Sequence, residues 1–246
     1  MAKINTTRKK KAPARRAATG PALPLRARVK LWLVRGIGGI GAGLLLWIIA
    51  YGFLNPPITP YMIGERRILG DIEREWVPTE RISPMLLRSV VAAEDANFCS
   101  HWGFDVAAIR SAIEQGADRG ASTITQQVVK NAFLWHGRSW LRKALEAGMT
   151  PVVELFWSKR RILEVYVNIA EFDEGIFGVE AAARHHFGVG ADEVNDVQAA
   201  RLAMVLPAPK LRAASAPTSA ERRRTAAIID GANTIARDGR AACFEG

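Results

Sequence analysis

The sequence has few cysteines, little strand-like alternation of apolar and polar residues, and no acidic residue among its first 35. Its only cysteines, Cys99 and Cys243, are too few for a disulfide-rich scaffold. An oxidising compartment would permit a bridge between them, but their spacing does not demand one. No internal repeat is visible. These absences exclude a small disulfide-stabilised module and disfavour a fold built mainly from sheets.

The positive charge of the chain is confined to its N-terminus. The sequence has 34 Lys and Arg against 24 Asp and Glu, and eleven of the basic residues precede residue 36. The rest therefore carries 23 basic and 24 acidic residues, a net charge of −1. A nucleic-acid-binding domain would carry its positive charge on a folded face. We therefore expect no nucleic-acid partner.

An uncharged run over 36–54 follows the basic tail. Together with the apolar residues 31–34 it approaches the roughly 30 Å hydrocarbon layer, at about 1.5 Å per helical residue. We predict a basic cytoplasmic tail over 1–30, a transmembrane helix over 31–54, a Pro-rich stalk over 55–64 and a domain over 65–240 on the outer side. The alternative is a cleaved signal peptide, but the run exceeds the usual apolar core of about 7–15 residues.

The region beyond the stalk has apolar residues at helical spacing, divided by turns that contain glycine. This pattern predicts an all-α fold, with a strand or extended arm only within 65–82. The expected helices cover about 83–97, 104–117, 122–135, 139–156, 159–170, 178–187, 195–206 and 219–237.

Glu94 is the first candidate for a catalytic group. Ser83 and Pro84 predict the start of a helix. Helical spacing from Leu87 and Val91 then places Glu94 at the end of an apolar face. Desolvation at such a position raises the pKa of a carboxyl group toward the range that a general acid or base needs. The alternative is a glutamate that ends a helix and pairs with an arginine.

Two further segments carry polar groups that have two interpretations. Ser122 caps a predicted helix on which Gln126 and Lys130 share a face, an arrangement that can hold anionic or sugar groups. It is equally typical of a capped helix with a solvated lysine. Arg142 and Glu146 have the spacing of a surface ion pair.

A third segment places three cations directly after a Ser cap. Lys159, Arg160 and Arg161 follow Ser158 and oppose the positive end of the helix dipole, so a compensating anion is expected. The alternative is that the preceding helix continues through Trp157 and leaves no N-terminus at this point.

Five motifs follow one another in order. They read E-D-x-x-F-x-x-H-x-G, G-x-S-T-x-x-Q-Q-x-x-K-N, R-K-x-x-E, K-x-x-I-L-E-x-Y-x-N and G-x-x-G-x-x-x-A, at Glu94–Gly103, Gly120–Asn131, Arg142–Glu146, Lys159–Asn168 and Gly175–Ala182. This order resembles the peptidoglycan glycosyltransferases of the bacterial penicillin-binding proteins. The resemblance covers most of residues 65–210 and leaves no room for a transpeptidase domain, so we expect the monofunctional, membrane-anchored form.

The resemblance implies a helical, lysozyme-like fold with a large lobe and a smaller membrane-facing jaw. It implies that Glu94 is the general base and Glu146 the second catalytic carboxylate. The substrates would be lipid II and a growing glycan strand, joined with inversion and release of undecaprenyl pyrophosphate, and the reaction would be sensitive to moenomycin. The positions that match the family's substrate-binding residues are Asp95, Ser122, Thr123, Gln126, Gln127, Lys130, Arg138, Lys143, Lys159, Arg161 and Asn168.

The resemblance also implies a location in the bacterial inner membrane, with the tail cytoplasmic and the catalytic domain periplasmic. Membrane lipids and other wall-synthesis or division proteins are the expected partners besides the substrate. No cofactor is required by the sequence; Mg²⁺ or Mn²⁺ is compatible with Glu146 and a pyrophosphate, although no metal-ligand pattern is recognisable. Phe133, Leu134, Trp135 and Trp140 suit either a membrane interface or the core.

Two departures from the family pattern stand out. His186 occupies a position where the family usually has tyrosine, and Thr150-Pro151 interrupts the helix after Glu146, which leaves the position of Glu154 open.

Two rival functions are a lytic glycan-cleaving enzyme and a non-catalytic membrane scaffold. The basic positions oppose the lytic function, because glycan cleavage releases no pyrophosphate. The presence of both candidate carboxylates opposes the scaffold.

Overall fold

The structure, a computed structural model, describes residues 24–114, 122–135, 137 and 139–245, and these are mainly helical. The helices are α1 (Leu25–Tyr51), α2 (Pro60–Leu69), α3 (Pro84–Glu94), α4 (Val106–Glu114), α5 (Ile124–Phe133), α6 (Trp140–Phe156), α7 (Lys159–Ile169), α8 (Val179–Phe187), α9 (Asp196–Val205), α10 (Ser219–Arg237) and α11 (Ala242–Glu245). The strands are β1 (Glu73–Arg74), β2 (Glu171–Asp173) and β3 (Ile176–Phe177). The predicted fold class is confirmed, as is each predicted helix within the described residues.

The chain divides into two units, residues 1–44 and 45–246. In the first unit the described part belongs to α1, which is the one helix among the described residues that is long and apolar enough to cross a membrane. Its mean hydropathy is 1.9, and 6% of its apolar window is buried. A core helix of a soluble protein would be mostly buried. Helix α1 is therefore compatible with a single-pass anchor, although a signal sequence near the N-terminus can pass the same test of length and hydropathy.

The segment predicted as a stalk, 55–64, belongs to the folded second unit. The hydroxyl of Thr59 accepts a hydrogen bond from the Met62 N–H and caps α2, which has proline at its first position. Pro56 and Met62 are buried, and Arg74 donates to the Pro56 carbonyl at 2.7 Å. Helix α1 ends at Tyr51, before Gly52 and three residues before the predicted end at 54. A Thr-Pro start then begins a new helix at once, so the segment does not stand free.

Two groups of helices build the core of the second unit. Helices α3, α9 and α10 pack against one another, and α5 packs against α6 and α7. Helix α7 also contacts α3 and α8, and it thereby connects the two groups. Fully buried apolar side chains fill these contacts, among them Leu86, Ile124, Leu163 and Leu202. Each such side chain stabilises the fold by roughly 1.5–3 kcal/mol relative to exposure.

The small sheet has the strand order β1-β3-β2. Strand β1 pairs in parallel with β3, with Glu73 opposite Ile176, and β2 pairs antiparallel with β3. The register of β2 shifts between Glu171 and Asp173, which marks a bulge. Helix α8 begins directly after β3, so the sheet fixes where that helix starts.

Helix α6 continues through Pro151 instead of ending there. The hydroxyl of Thr150 donates back to the Glu146 carbonyl at 2.7 Å, whereas the carbonyl that loses its helical donor at Pro151 is that of Ala147. Glu154 therefore lies in the same helix, 8% exposed, and accepts hydrogen bonds from Thr125 and Lys159 at 2.6 and 2.8 Å. The position of Glu154, left open by the sequence, is in the interior between α5 and α7.

Cys99 and Cys243 form a disulfide, with their Cα atoms 5.7 Å apart and the two residues 144 positions apart in the chain. The bond joins the segment after α3 to α11. In the chain-entropy description, closing a loop of this length stabilises the fold by about 4–5 kcal/mol. The bridge therefore fixes one side of the segment that follows Glu94.

Gly103 lies where this segment meets α5 and α6. Its φ is +83°, and a Cβ at this position would lie 2.6 Å from Cγ2 of Thr150 and 3.2 Å from Cγ of Glu154. Its carbonyl accepts a hydrogen bond from the Thr123 hydroxyl at 2.7 Å. Both the backbone angle and the lack of space therefore require glycine.

We predict that Gly103→Ala lowers the melting temperature of the full-length protein in detergent much more than Gly239→Ala. Gly239 has a similar φ of +77° but open space around its Cα. Both variants incur about 1–2 kcal/mol of backbone strain, and only Gly103→Ala adds about 1–3 kcal/mol of overpacking. Equal losses in the two variants would contradict the steric argument.

Candidate active site

Helix α3 carries Glu94 to the edge of the core. The helix begins at Pro84, directly after Ser83, as the sequence predicts. Leu87 and Val91 are 4% and 1% exposed, whereas Glu94, the last helical residue, is partly exposed. The apolar face thus anchors the helix, and the carboxylate emerges where that face ends.

The carboxylate of Glu94 is held by a short chain of hydrogen bonds. Nε2 of Gln127 donates to Oε2 of Glu94 at 2.7 Å, and the hydroxyl of Tyr166 donates to Oε1 of Gln127 at 3.1 Å. Because the amide oxygen already accepts from Tyr166, the amide NH₂ must face Glu94. Burial raises the pKa of Glu94, against the opposing effects of the Gln127 hydrogen bond and the charges of Arg224 and Lys130. A carboxylate with a raised pKa is a better proton acceptor.

A capping box sets the start of α5 and so the position of Gln127. The hydroxyl of Thr123 accepts from the Gln126 N–H, and Oε1 of Gln126 accepts from the Thr123 N–H at 3.0 Å. Gln127 and Lys130 follow on the face toward Glu94. Thr123 and Gln126, predicted as substrate-binding residues, instead use these polar groups to fix the helix.

Asp95 fixes the same helix from the other side. Its Oδ2 accepts from the Ile124 N–H at 3.0 Å, and its Oδ1 lies 2.8 Å from Nε2 of His101. Asp95 is 7% exposed, and both oxygens of its carboxylate are used in these contacts. Ser122, one residue before the cap, is exposed. Of the polar residues near the start of α5, Ser122 is thus the one that faces solvent.

Glu146 is the second buried carboxylate near the site, at 3% exposure. Its Oε1 pairs with Lys143, and its Oε2 lies 3.6 Å from Nη1 of Arg142. Lys130 is close to both candidate carboxylates: burial lowers its pKa, and the charges of Glu146 and Glu94 counteract this effect. Among the described residues, the Lys130 amine makes no hydrogen bond, so its charge faces the adjoining cavity.

A cavity of about 360 Å³ adjoins these groups. Glu94 lies behind the wall and contacts the lining residue Gln127. Glu146 likewise contacts the lining residue Arg142. The polar residues that line the cavity, within the described part of the chain, include Tyr61, Gln127, Lys130, Asn131, Arg142, Tyr166 and Glu171. Two cations, a base held just behind the wall and several hydroxyl or amide groups therefore surround one space.

The cavity wall also carries a further buried carboxylate, Glu171 on β2. It accepts a hydrogen bond from Tyr61, and its Oε1 lies 3.7 Å from Nζ of Lys210. Lys210 also pairs with Glu65, which is 5% exposed. Burial raises the pKa of Glu171, against the lowering effects of Tyr61 and Lys210. This wall thus offers acceptors and donors for sugar hydroxyls.

Lys159 and Arg161 lie in internal contacts and not on the cavity wall. Helix α7 does begin after a Ser158 cap, so the alternative of a helix continuous through this point is wrong. Lys159 pairs with Glu154 at 2.8 Å, and Arg161 donates to the Tyr51 carbonyl at 3.0 Å. The positive charge at this helix start is balanced by groups of the protein, and the structure does not support a ligand role for these two residues.

Asn168 is likewise a structural residue. It is fully buried; its Oδ1 accepts from the Val77 N–H at 2.8 Å, and its Nδ2 donates to the carbonyls of Val77 and Glu164, also at 2.8 Å. Its amide has no group left for a ligand, so the predicted substrate contact is not supported. Arg138 lies outside the described residues.

Several residues of the site were not singled out by the sequence. Tyr166 lies within the fourth motif, and its helical spacing toward the buried face of α7 is a signal that points inward. Arg224 donates to the Ala93 carbonyl at 3.2 Å beside Glu94 but comes from distant α10. Tyr61 and Glu171 carry no local signal, because only the tertiary fold brings them to the cavity.

Comparison with known proteins finds one matching family model and several similar proteins. A family model described as "Transglycosylase" matches residues 63–232. A biosynthetic peptidoglycan transglycosylase of Jannaschia sp. (strain CCS1) is 60% identical over 220 residues, 89% of this chain and 92% of that protein. Proteins of the same name from Pseudomonas putida (strain W619) and Pseudomonas fluorescens (strain Pf0-1) are 48% and 50% identical, covering 76% and 74% of this chain and 84% and 80% of their own lengths. The chain belongs to the transglycosylase family.

Proposed function

We propose that this protein is a peptidoglycan glycosyltransferase that polymerises lipid II into glycan strands during cell-wall synthesis. Membership of the family and the names of its relatives support this function. The observation that carries it here is the Glu94 carboxylate, partly buried and held by Gln127 beside the amine of Lys130. A base and a cation at one cavity are what the transfer of a sugar from a pyrophosphate requires.

In the proposed reaction Glu94 removes the proton from the 4-hydroxyl of the acceptor sugar. The freed oxygen attacks the anomeric carbon of the donor on the face opposite the leaving group. The bond from that carbon to the pyrophosphate oxygen breaks, and the lipid pyrophosphate leaves with the electron pair. The product is a β-1,4 linkage with inversion at the anomeric carbon. The raised pKa of Glu94 favours the first step, because a stronger base takes the proton more readily.

The negative charge that develops on the leaving group is assigned to the cations near α6. Lys130 and Arg142 line the cavity, and Lys143 stands beside them, 46% exposed at its side chain. Glu146 holds Arg142 and Lys143 in place through its two oxygens, so we propose that it acts by positioning these cations. Fixed cations stabilise a developing oxyanion without reorganising during the reaction.

The donor set fits Mg²⁺ or Mn²⁺ poorly at Glu146. Both of its carboxylate oxygens already face cationic side chains, one from Lys143 and one from Arg142. Hard divalent cations prefer free carboxylate oxygens. We therefore propose that the protein's own cations provide the positive charge that stabilises the leaving pyrophosphate.

We also propose that the protein is anchored in the inner membrane by α1, with the basic tail predicted over 1–30 on the cytoplasmic side and the second unit periplasmic. Basic residues precede the apolar helix, as the positive-inside rule requires of a cytoplasmic tail. The disulfide supports an oxidising compartment for the second unit. Of the aromatic cluster, Phe133 and Leu134 are core, whereas Trp140 is 92% exposed and suits a membrane interface.

One prediction of the proposed mechanism concerns Glu94 as the base. Glu94→Gln should lower lipid II polymerisation by about 10²- to 10⁴-fold, because the amide cannot accept the proton. Purified full-length protein in detergent is incubated with labelled lipid II, with and without moenomycin, and the products are resolved by size. Glu75→Gln is the matched control, since Glu75 is exposed and pairs only with Arg184 among the described residues. A Glu94→Gln rate close to that of the wild type would remove the base assignment, and release of soluble fragments from sacculi without polymer would favour a lytic enzyme.

A second prediction concerns the pH dependence of the same rate. Glu94 must be ionised to act, so activity falls as the pH drops through its raised pKa. Tyr166→Phe frees the Gln127 amide to turn away and weakens a hydrogen bond that lowers this pKa. The acidic limb of the profile should therefore move to higher pH. Gln127→Leu removes the hydrogen-bond donor itself and should move the acidic limb of the pH–activity profile at least as far. If the acidic limb is unmoved in both variants, the positioning role of Tyr166 is refuted.

A third prediction concerns location. Intact cells are quenched with acid to preserve the thiol state of the protein. Free thiols are then labelled with a maleimide that adds a fixed mass to each. The wild type should gain no mass until it is reduced, because Cys99 and Cys243 are paired in the periplasm. Cys243→Ser leaves one free thiol and should be tagged without reduction. Tagging of the unreduced wild type would contradict the periplasmic location of the second unit.

A further inference from the structure

Three potential metal ligands converge at the C-terminal end of α8, outside the cavity lining. Asp173 lies on β2, and His185 and His186 lie on α8; one ligand atom from each falls within 4.8 Å of the other two. Nε2 of His185 and Nε2 of His186 are 3.8 and 3.6 Å from the same oxygen, Oδ2 of Asp173. These distances are too long for hydrogen bonds. The three atoms therefore face one another across a gap.

The unpartnered nitrogen of His186 points to a ligand in this gap. The side chain of His186 is 2% exposed, and its Nε2 is buried without a hydrogen-bond partner among the described residues.

The surroundings favour a cation and leave a path to it. The side chains of Asp173 and His185 are 30% and 42% exposed, so the gap is open to solvent. The carbonyls at the C-terminus of α8 point their negative ends toward this region. The neighbouring cation, Arg184, is paired with Glu180 at 2.6 Å.

A second cluster, formed by Asp95, His101 and Asp105, differs in the use of its carboxylates. Oδ1 of Asp95 is already 2.8 Å from Nε2 of His101. Both oxygens of Asp105 accept hydrogen bonds, from the Ala108 N–H and from Asn97. These hydrogen bonds occupy the carboxylate oxygens that would bind a metal, although Nδ1 of His101 is buried without a hydrogen-bond partner among the described residues.

We propose that Asp173, His185 and His186 bind one divalent cation of the Zn²⁺ class, with water completing its coordination. Two imidazole nitrogens and one carboxylate oxygen suit Zn²⁺ and its neighbours Co²⁺ and Ni²⁺, and they suit Mg²⁺ and Ca²⁺ poorly. The ion would join β2 to the end of α8. Because β2 also carries Glu171, the ion would hold this part of the cavity wall in position without touching the reacting atoms.

The test uses full-length protein in detergent, purified without a histidine tag, stripped with a chelator and titrated with Co²⁺. We expect one Co²⁺ per chain with a visible absorption band, displaced by Zn²⁺. His185→Ala and Asp173→Asn should weaken binding by about tenfold or more. Glu174→Gln removes the same charge one residue away and should bind as the wild type does, as should His101→Gln, which removes the second cluster.

Zn²⁺ should also raise the melting temperature of the wild type and of Glu174→Gln but not that of His185→Ala. His185 is partly exposed, so this variant keeps its fold, and its own melting curve checks that it does. The proposal is overturned if the wild type binds no stoichiometric Co²⁺, if His185→Ala binds as tightly as the wild type, or if His101→Gln alone abolishes binding.

Discussion

The hydrogen bond from Gln127 to Glu94 is the contact on which the site depends. A carboxylate at the end of an apolar helix loses solvation, so a donor must approach it from another helix. That donor is in place only if α5 starts at the right residue. Asp95 and the Thr123 cap set that start, and the Gly103 carbonyl holds the cap. Much of the internal bonding around α3 and α5 thus serves to keep one amide against one carboxylate.

The cations of the second unit divide into two classes by what they face. Lys159 and Arg161 are saturated by carboxylates and backbone carbonyls, and they hold the start of α7 in place. Lys130 and Arg142 line the cavity, where buried carboxylates lie near them but leave them open to the cavity. The motif spacing does not separate these classes, because a motif records which residue is present and not where its charge is balanced. Among the residues that the structure describes, the cavity therefore has fewer cations than the motifs suggest, but those it has are oriented.

Local signals made the helices predictable, and distant contacts made part of the site unpredictable. The Ser158 cap acts within three residues and starts α7 as predicted, whereas α5 is capped by Thr123, one residue after the predicted cap Ser122. Asn168 binds Val77, 91 positions away, and Tyr166 reaches Gln127 across 39. No feature of the nearby sequence shows that Asn168 is structural. Nor does one show that Tyr166 orients the Gln127 amide beside Glu94. The disulfide is a similar case, since its cysteines meet only because α11 returns to the segment after α3.

Strand β2 shows how a short element serves two sites at once. Glu171 and Asp173 are two residues apart, and in a regular strand their side chains would share one face. The register shift between them removes this constraint. Glu171 is thereby free to contact Tyr61 and Lys210 at the cavity, while Asp173 faces the histidines of α8. The position of the cavity wall is therefore coupled to the end of α8 through a bulge, and anything that fixes Asp173 also restricts Glu171.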